Sequence, residues 1–242
     1  MKKVLFFCFI IFGINILHAQ VLTPPPGIDL FQYNTSASGN LNMFEYPYAR
    51  IWGWSRDGKV AYSVERAVDG RGGRIINFVI LDLITDRKIT ELNIDSFDHD
   101  DYDGDYSYDD LFLMYNHLIL DALGSNNIVL GQRNDFRAFP FSRNNITYNC
   151  QIIDPGFTND EYGMFERVIS RYSILVTADN RRKIIASLIP VSRVTGYTYV
   201  CGYFLSPFEN RIMVVTAEEA FGFEGTRLNF RFNGCHLGVG FN

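Results

Sequence analysis

With 242 residues, 47% of them hydrophobic, the chain is long enough to bury a real core within one domain. Its formal net charge of −5 supplies no electrostatic footprint for nucleic acid, and that class of partner is excluded. Phe and Tyr are plentiful (21 and 14) and turn-forming residues are spread along the whole length, a composition that favours β structure.

In chain order, Lys2 and Lys3 precede an almost wholly apolar run, Val4 to Leu17, and Leu17-His18-Ala19 places a small residue before Gln20. This is the pattern of an export signal over residues 1–19, and the run falls short of the ~18–20 residues of a membrane span. Cys8 follows Phe7 rather than a small residue, which makes it a poor lipid-attachment site. The mature chain is expected to start near Gln20 and to be periplasmic or secreted. It has no later apolar stretch long enough for a transmembrane helix. Residues 20–45, with Pro24-Pro25-Pro26-Gly27 and Ser36 to Asn40, read as an extended lead-in, and residues 46–242 as a single β domain.

Asp57-Gly58 between Trp54 and Val60 is a hairpin signal, because a tight turn takes residues that tolerate positive φ. Asp69 to Arg74 links the next run to Ile75–Leu83, whose nearly unbroken apolar character predicts burial on both faces. Thr85 to Lys88 turns that run into Ile89–Ile94. Between residues 95 and 124 the periodicity changes. Ser107 with Asp110 resembles a helix N-cap, Gly124 suits a helix end, and one inserted helix is expected near 108–123, with Leu111, Met114, Leu118 and Ala122 on one face. Ile128 to Gly131 is a short strand. Residues 134–163 are polar, with one strand expected around Thr147 to Ile153 and loop elsewhere. Asp179 to Arg182 marks a further hairpin between Tyr172–Thr177 and Lys183–Ser187. Tyr197–Leu205, Ile212–Thr216 and Arg227–Phe232 complete the strands, and alternation of Leu228, Phe230 and Phe232 with polar residues marks a sheet with one wet face.

Trp54-Ser55-Arg56-Asp57-Gly58-Lys59-Val60-Ala61-Tyr62 resembles the Ser-Pro-Asp-Gly-Lys motif of TolB-like and WD-type β-propeller blades, and Ile80 to Lys88 is similar to the outer half of such a blade. Leu205-Ser206-Pro207 to Ile212 resembles a second copy without the Asp-Gly, and Leu123 to Val129 a third, whose outer pair would be Ile174 to Ser187. The resemblance implies four-stranded antiparallel units. At most three are visible, where closed propellers have ~4–8. The expected fold is therefore all-β, propeller-like four-stranded units in a partial propeller or sandwich, with the insertion at 95–124.

Asp101, Asp103, Asp105 and Asp110 stand at spacings reminiscent of a calcium loop, although His99 occupies its first ligand position and the last is Asp rather than Glu. A solvated acidic loop before a helix N-terminus accounts for the same residues. These four residues are thus the candidate calcium ligands, and no other cofactor is expected. The glycine-rich link Asp69 to Arg74 could hold an anion but reads as a wide hairpin loop. Three cysteines survive removal of the signal. The expected readings are a Cys201–Cys235 disulfide, with Cys150 free, or three buried unpaired thiols. Trp52 and Trp54 share one strand face by parity and read as core anchors rather than a ligand platform. Cys235-His236 and Glu218-Glu219 are the remaining reactive neighbours, and no assembled catalytic signature is present. These features point to an exported, non-catalytic module that binds an envelope or extracellular protein. A hydrolase using loop carboxylates is the alternative and an outer-membrane β-barrel the second, with function placed in the loops 98–110 and 134–163.

Overall fold

A computed structural model describes residues 22–33, 47–67, 73–98, 106–132, 134–163, 165–222 and 225–242. Fourteen strands and two helices of the described residues arrange as three antiparallel sheets. The first sheet grows from the hairpin signals. β1 (Ile28–Asp29) pairs β2 (Tyr48–Trp54), which continues as a meander through β3 (Lys59–Ala67), β4 (Arg74–Asp82) and β5 (Arg87–Asp95). Gly58 and Asp86 adopt positive φ (88° and 55°) at the two turns singled out by their chemistry. β2 to β5 form a four-stranded antiparallel unit of the expected kind, and β6 (Val129–Leu130) adds to the other edge of β2.

The third sheet holds β8 (Phe141–Arg143), β9 (Ile146–Thr158), β10 (Val168–Ala178) and β11 (Arg181–Leu188). The middle sheet holds β7 (Phe136–Arg137), β12 (Thr195–Leu205), β13 (Arg211–Gly222) and β14 (Gly225–His236). It lies between the other two although most of it comes last in sequence. One core joins the first sheet to it, through Trp54, Tyr62, Val79 and Leu81 against Phe204, Met213, Val215 and Phe232. A second core joins it to the third sheet, through Tyr172, Ile174 and Val176 against Tyr203, Ile212 and Val214. β13 is consequently buried at every residue from Ile212 to Ala220. The described strands thus make three open sheets, where an outer-membrane barrel would join its strands into one closed wall.

A third core packs the far face of the first sheet under the inserted helices, which explains the unbroken apolar run of β4: Ile76, Phe78 and Ile80 face the helices, Val79 and Leu81 the middle sheet. The insertion is two helices rather than one, α1 (Tyr108–Met114) and α2 (Asn116–Ser125), broken at Tyr115. Ser107 and Asp110 form the capping box. The buried face is Leu111, Phe112, Ile119 and Leu123, one stripe about a quarter turn from the expected face, while Met114 and Leu118 are exposed. The left-handed residue after the helix is Asn127 (φ 54°), not Gly124.

Three further expectations are corrected. Leu123 to Val129 is no blade hairpin: its first three residues end α2, and Val129 opens β6. Residues 134–163, expected to be mostly loop, contribute β7, β8 and the 13-residue β9. Trp52 and Trp54 face opposite ways. A β-bulge between Ile51 and Gly53 inserts one residue against β3, so Trp52 enters the helix-side core and Trp54 the core shared with the middle sheet. Both are core anchors, and their indole N–H groups donate to Ser63 Oγ (3.0 Å) and Asn134 Oδ1 (2.6 Å).

The Ser55 and Ser206 turns share a local closure. The Ser55 N–H donates to the Lys59 carbonyl at 2.9 Å and the Ser206 N–H to that of Arg211 at 3.0 Å. The two turns meet at one end of the stack, where Arg56 lies over the Phe208 ring and Arg211 donates to the Leu83 carbonyl.

Candidate functional site: a cleft along the edge of the middle sheet

The residues that carry reactive chemistry are, where described, engaged in the fold. Asp101, Asp103 and Asp105, with His99, lie outside the described residues, as does the link 68–72. Asp110 Oδ2 accepts from the Ser107 N–H and hydroxyl, which completes the helix cap and holds its carboxyl below the usual carboxylate range. Cys150, Cys201 and Cys235 are all free and buried. The Cys201–Cys235 disulfide is not formed: the two thiols point into different cores, on opposite faces of the middle sheet, with β13 between their strands. Burial pushes Cys150 up to about 12, with a contribution from nearby Cys235, and Cys235 up to about 11, which suppresses the nucleophilic thiolate. His236 accepts at Nδ1 from the Gly238 N–H, and burial lowers its pKa. His117 is exposed on α2.

Glu218 and Glu219 occupy opposite faces of β13 and do not form an acid pair. Glu218, fully buried, faces the third sheet. Its Oε1 accepts from the Tyr172 hydroxyl (2.8 Å) and Arg231 Nε (2.9 Å), and its Oε2 from the Val191 N–H (2.7 Å). Glu65, also buried, is clamped by Arg50. Glu219 is buried too and accepts from the Tyr199 hydroxyl. Burial raises its pKa from 4.5, against the lowering effect of that hydroxyl. A carboxyl whose folded pKa is raised binds its proton more tightly in the folded state, so its stabilising contribution is complete below pH 4.5 and is lost as pH rises through the folded value. Thermal melts from about pH 4 to about pH 8 are expected to show this loss in the wild type and not in Glu219→Gln. Parallel profiles would contradict it.

One of the open clefts, of about 320 Å³, runs along β14. β3, β4 and the start of β5 form one wall, with Tyr62, Val64, Arg66, Asn77, Leu81 and Lys88; Leu188 and Val191, at and beyond the end of β11, form the other. Leu228 to Asn233 of β14 form the floor. This volume falls within the ~300–1,000 Å³ of ligand sites, and the lining is about as polar as it is apolar.

Among the described strands β14 is an edge strand, paired with β13 alone. The hairpin closes at Gly222–Gly225 and runs in unbroken register to Arg211–His236. Alternation from that closing pair turns the N–H and C=O of Leu228, Phe230, Phe232 and Gly234 away from β13. The Gly234 N–H is taken by Asp86 Oδ1. Among the described residues, the outward backbone groups of Leu228, Phe230 and Phe232 make no hydrogen bond. Two side-chain atoms beside them are buried without a partner, the donor Asn229 Nδ2 and the acceptor Asn233 Oδ1, and Asn233 as a whole is only 6% exposed. Unmade hydrogen bonds of this kind cost about 1–3 kcal/mol each, so they mark a place where a partner would be favourable. The alternation of Leu228, Phe230 and Phe232 was legible in the sequence. The edge position of their strand was not, because nothing local to residues 225–236 says which strands flank them. No family model matches the chain, and neither a curated protein nor a solved structure matches it.

Proposed function

We propose that this is an exported, non-catalytic module that binds another protein of the envelope or extracellular space. The observation that carries this reading is the open β14 edge in its cleft, with orphaned buried donor and acceptor atoms on the same strand. Exposed strand edges are templates for pairing with another chain, and among the described residues no strand pairs with the outer side of this one. The engagement of Glu65, Glu218 and Glu219 in buried contacts supports a binding rather than a hydrolytic role. The leader-like residues 1–19 and the blade-like motifs of Trp54–Tyr62 and Leu205–Ile212 support an envelope setting, and the reading requires no metal. Tagged protein lacking residues 1–19 is expected to retain a reproducible partner from envelope extracts. Arg66→Glu, an exposed change at the cleft wall that leaves stability within about 0.5 kcal/mol, is expected to reduce that retention. No partner at native expression would contradict the proposal.

A further inference from the structure

We infer, resting on that binding reading, that the cleft takes an extended polypeptide segment with an acidic end at Arg66, which pairs with β14 as an additional strand of the middle sheet. Three features select this occupant. The outward backbone groups of Leu228, Phe230 and Phe232 present donors and acceptors at alternate residues, which a strand matches and a compact small molecule does not. Asn229 Nδ2 and Asn233 Oδ1 add one orphan donor and one orphan acceptor, and a peptide backbone carries both complements. From Leu228 to Asn233 the floor is about 17 Å long at ~3.3 Å per residue, room for about five residues of strand.

The charge of the occupant follows from the walls. The lining groups include Arg66, Lys88, Arg231 and the carboxylate Asp86, which is engaged by the Gly234 N–H, so the charge preference is local to the Arg66 end of the cleft. Glu91 and Glu218 pair with Lys88 and Arg231. Arg66 is exposed and makes no ion pair among the described residues. An acidic side chain on the added strand meets Arg66, and a basic one meets uncompensated like charge. The apolar walls at Tyr62, Val64 and Leu81 receive alternate side chains of that strand, which is where selectivity beyond charge resides.

The test uses protein lacking residues 1–19 and nine-residue probes of alternating Thr and Val that end in two Asp or in two Lys. The Asp probe is expected to bind at least tenfold more tightly than the Lys probe, and Arg66→Glu to reverse the order. N-methylation of alternate probe amides on one edge is expected to weaken binding at least tenfold, and on the other edge to leave it unchanged. Equal binding of the two probes, insensitivity to methylation on both edges, or no binding of either probe would overturn the inference. A partner captured from envelope extracts equally by wild type and Arg66→Glu would overturn it while leaving the binding reading intact. Capture of no partner fails the binding reading itself.

Discussion

Glu218→Ala is expected to lower the melting temperature by about 5–15 °C, through the loss of roughly 2–4 kcal/mol. The carboxylate is fully buried and satisfies three donors from three parts of the chain: Tyr172 on β10, Arg231 on β14 and the Val191 N–H. Breaking a buried pair by removing one partner costs about 3–5 kcal/mol, and the estimate here is reduced because the Arg231 side chain is 30% exposed and regains some hydration. Burial already holds the Tyr172 hydroxyl well above its ordinary pKa, and the Glu218 charge adds to that, so tyrosine stays a neutral donor over the whole working range. Glu218→Gln keeps the shape and one acceptor oxygen but presents an amide donor where a carboxylate oxygen stood, and is expected to fall between Ala and wild type. Because Arg231 and Val191 both line the cleft, both variants are also expected to weaken partner retention. A change of less than about 2 °C in Glu218→Ala would contradict the three-way contact.

Trp54→Ala carries a comparable effect by another route. The indole is 1% exposed in the core between the first and middle sheets, and its N–H serves Asn134 Oδ1. Truncating a buried Trp costs about 3–5 kcal/mol, or roughly 6–20 °C for a chain of this size. Trp52→Ala removes a ring from a different core, where it meets Phe78 and Phe112 edge to face at 5.8 and 5.2 Å. Since the bulge sends the two rings to opposite faces with no shared partner, their costs are expected to add within about 0.5 kcal/mol in chemical denaturation. A coupling above about 1 kcal/mol would contradict the opposed placement.

Much of the first sheet was legible because its information is local. Asp57-Gly58 and Thr85 to Lys88 fix turns through residues that tolerate positive φ, and an apolar β4 declares burial on both faces. The capping box at Ser107 and Asp110 was legible for the same reason. The bulge beside Gly53 was not. It stands where β6 passes so close that a Cβ on Gly53 would lie 2.2 Å from the Val129 carbonyl oxygen, a contact between residues 76 positions apart. The order of the sheets was equally hidden, because the last strands fill the middle of the stack. The cleft depends on that order, whereas the sequence by itself directs attention to the loops at 98–110 and 134–163. Cys201 and Cys235 show the same limit: nearness in the C-terminal third says nothing of which face of a sheet each thiol occupies.

Amide hydrogen exchange along β14 in the protein without any partner tests the central claim most directly. The open edge predicts slow exchange at Asn229, Arg231 and Asn233, whose N–H groups point to β13, and fast exchange at Leu228, Phe230 and Phe232, whose N–H groups point into the cleft. Uniformly slow exchange at all six would mean that the edge is already paired or covered, and would contradict the binding cleft.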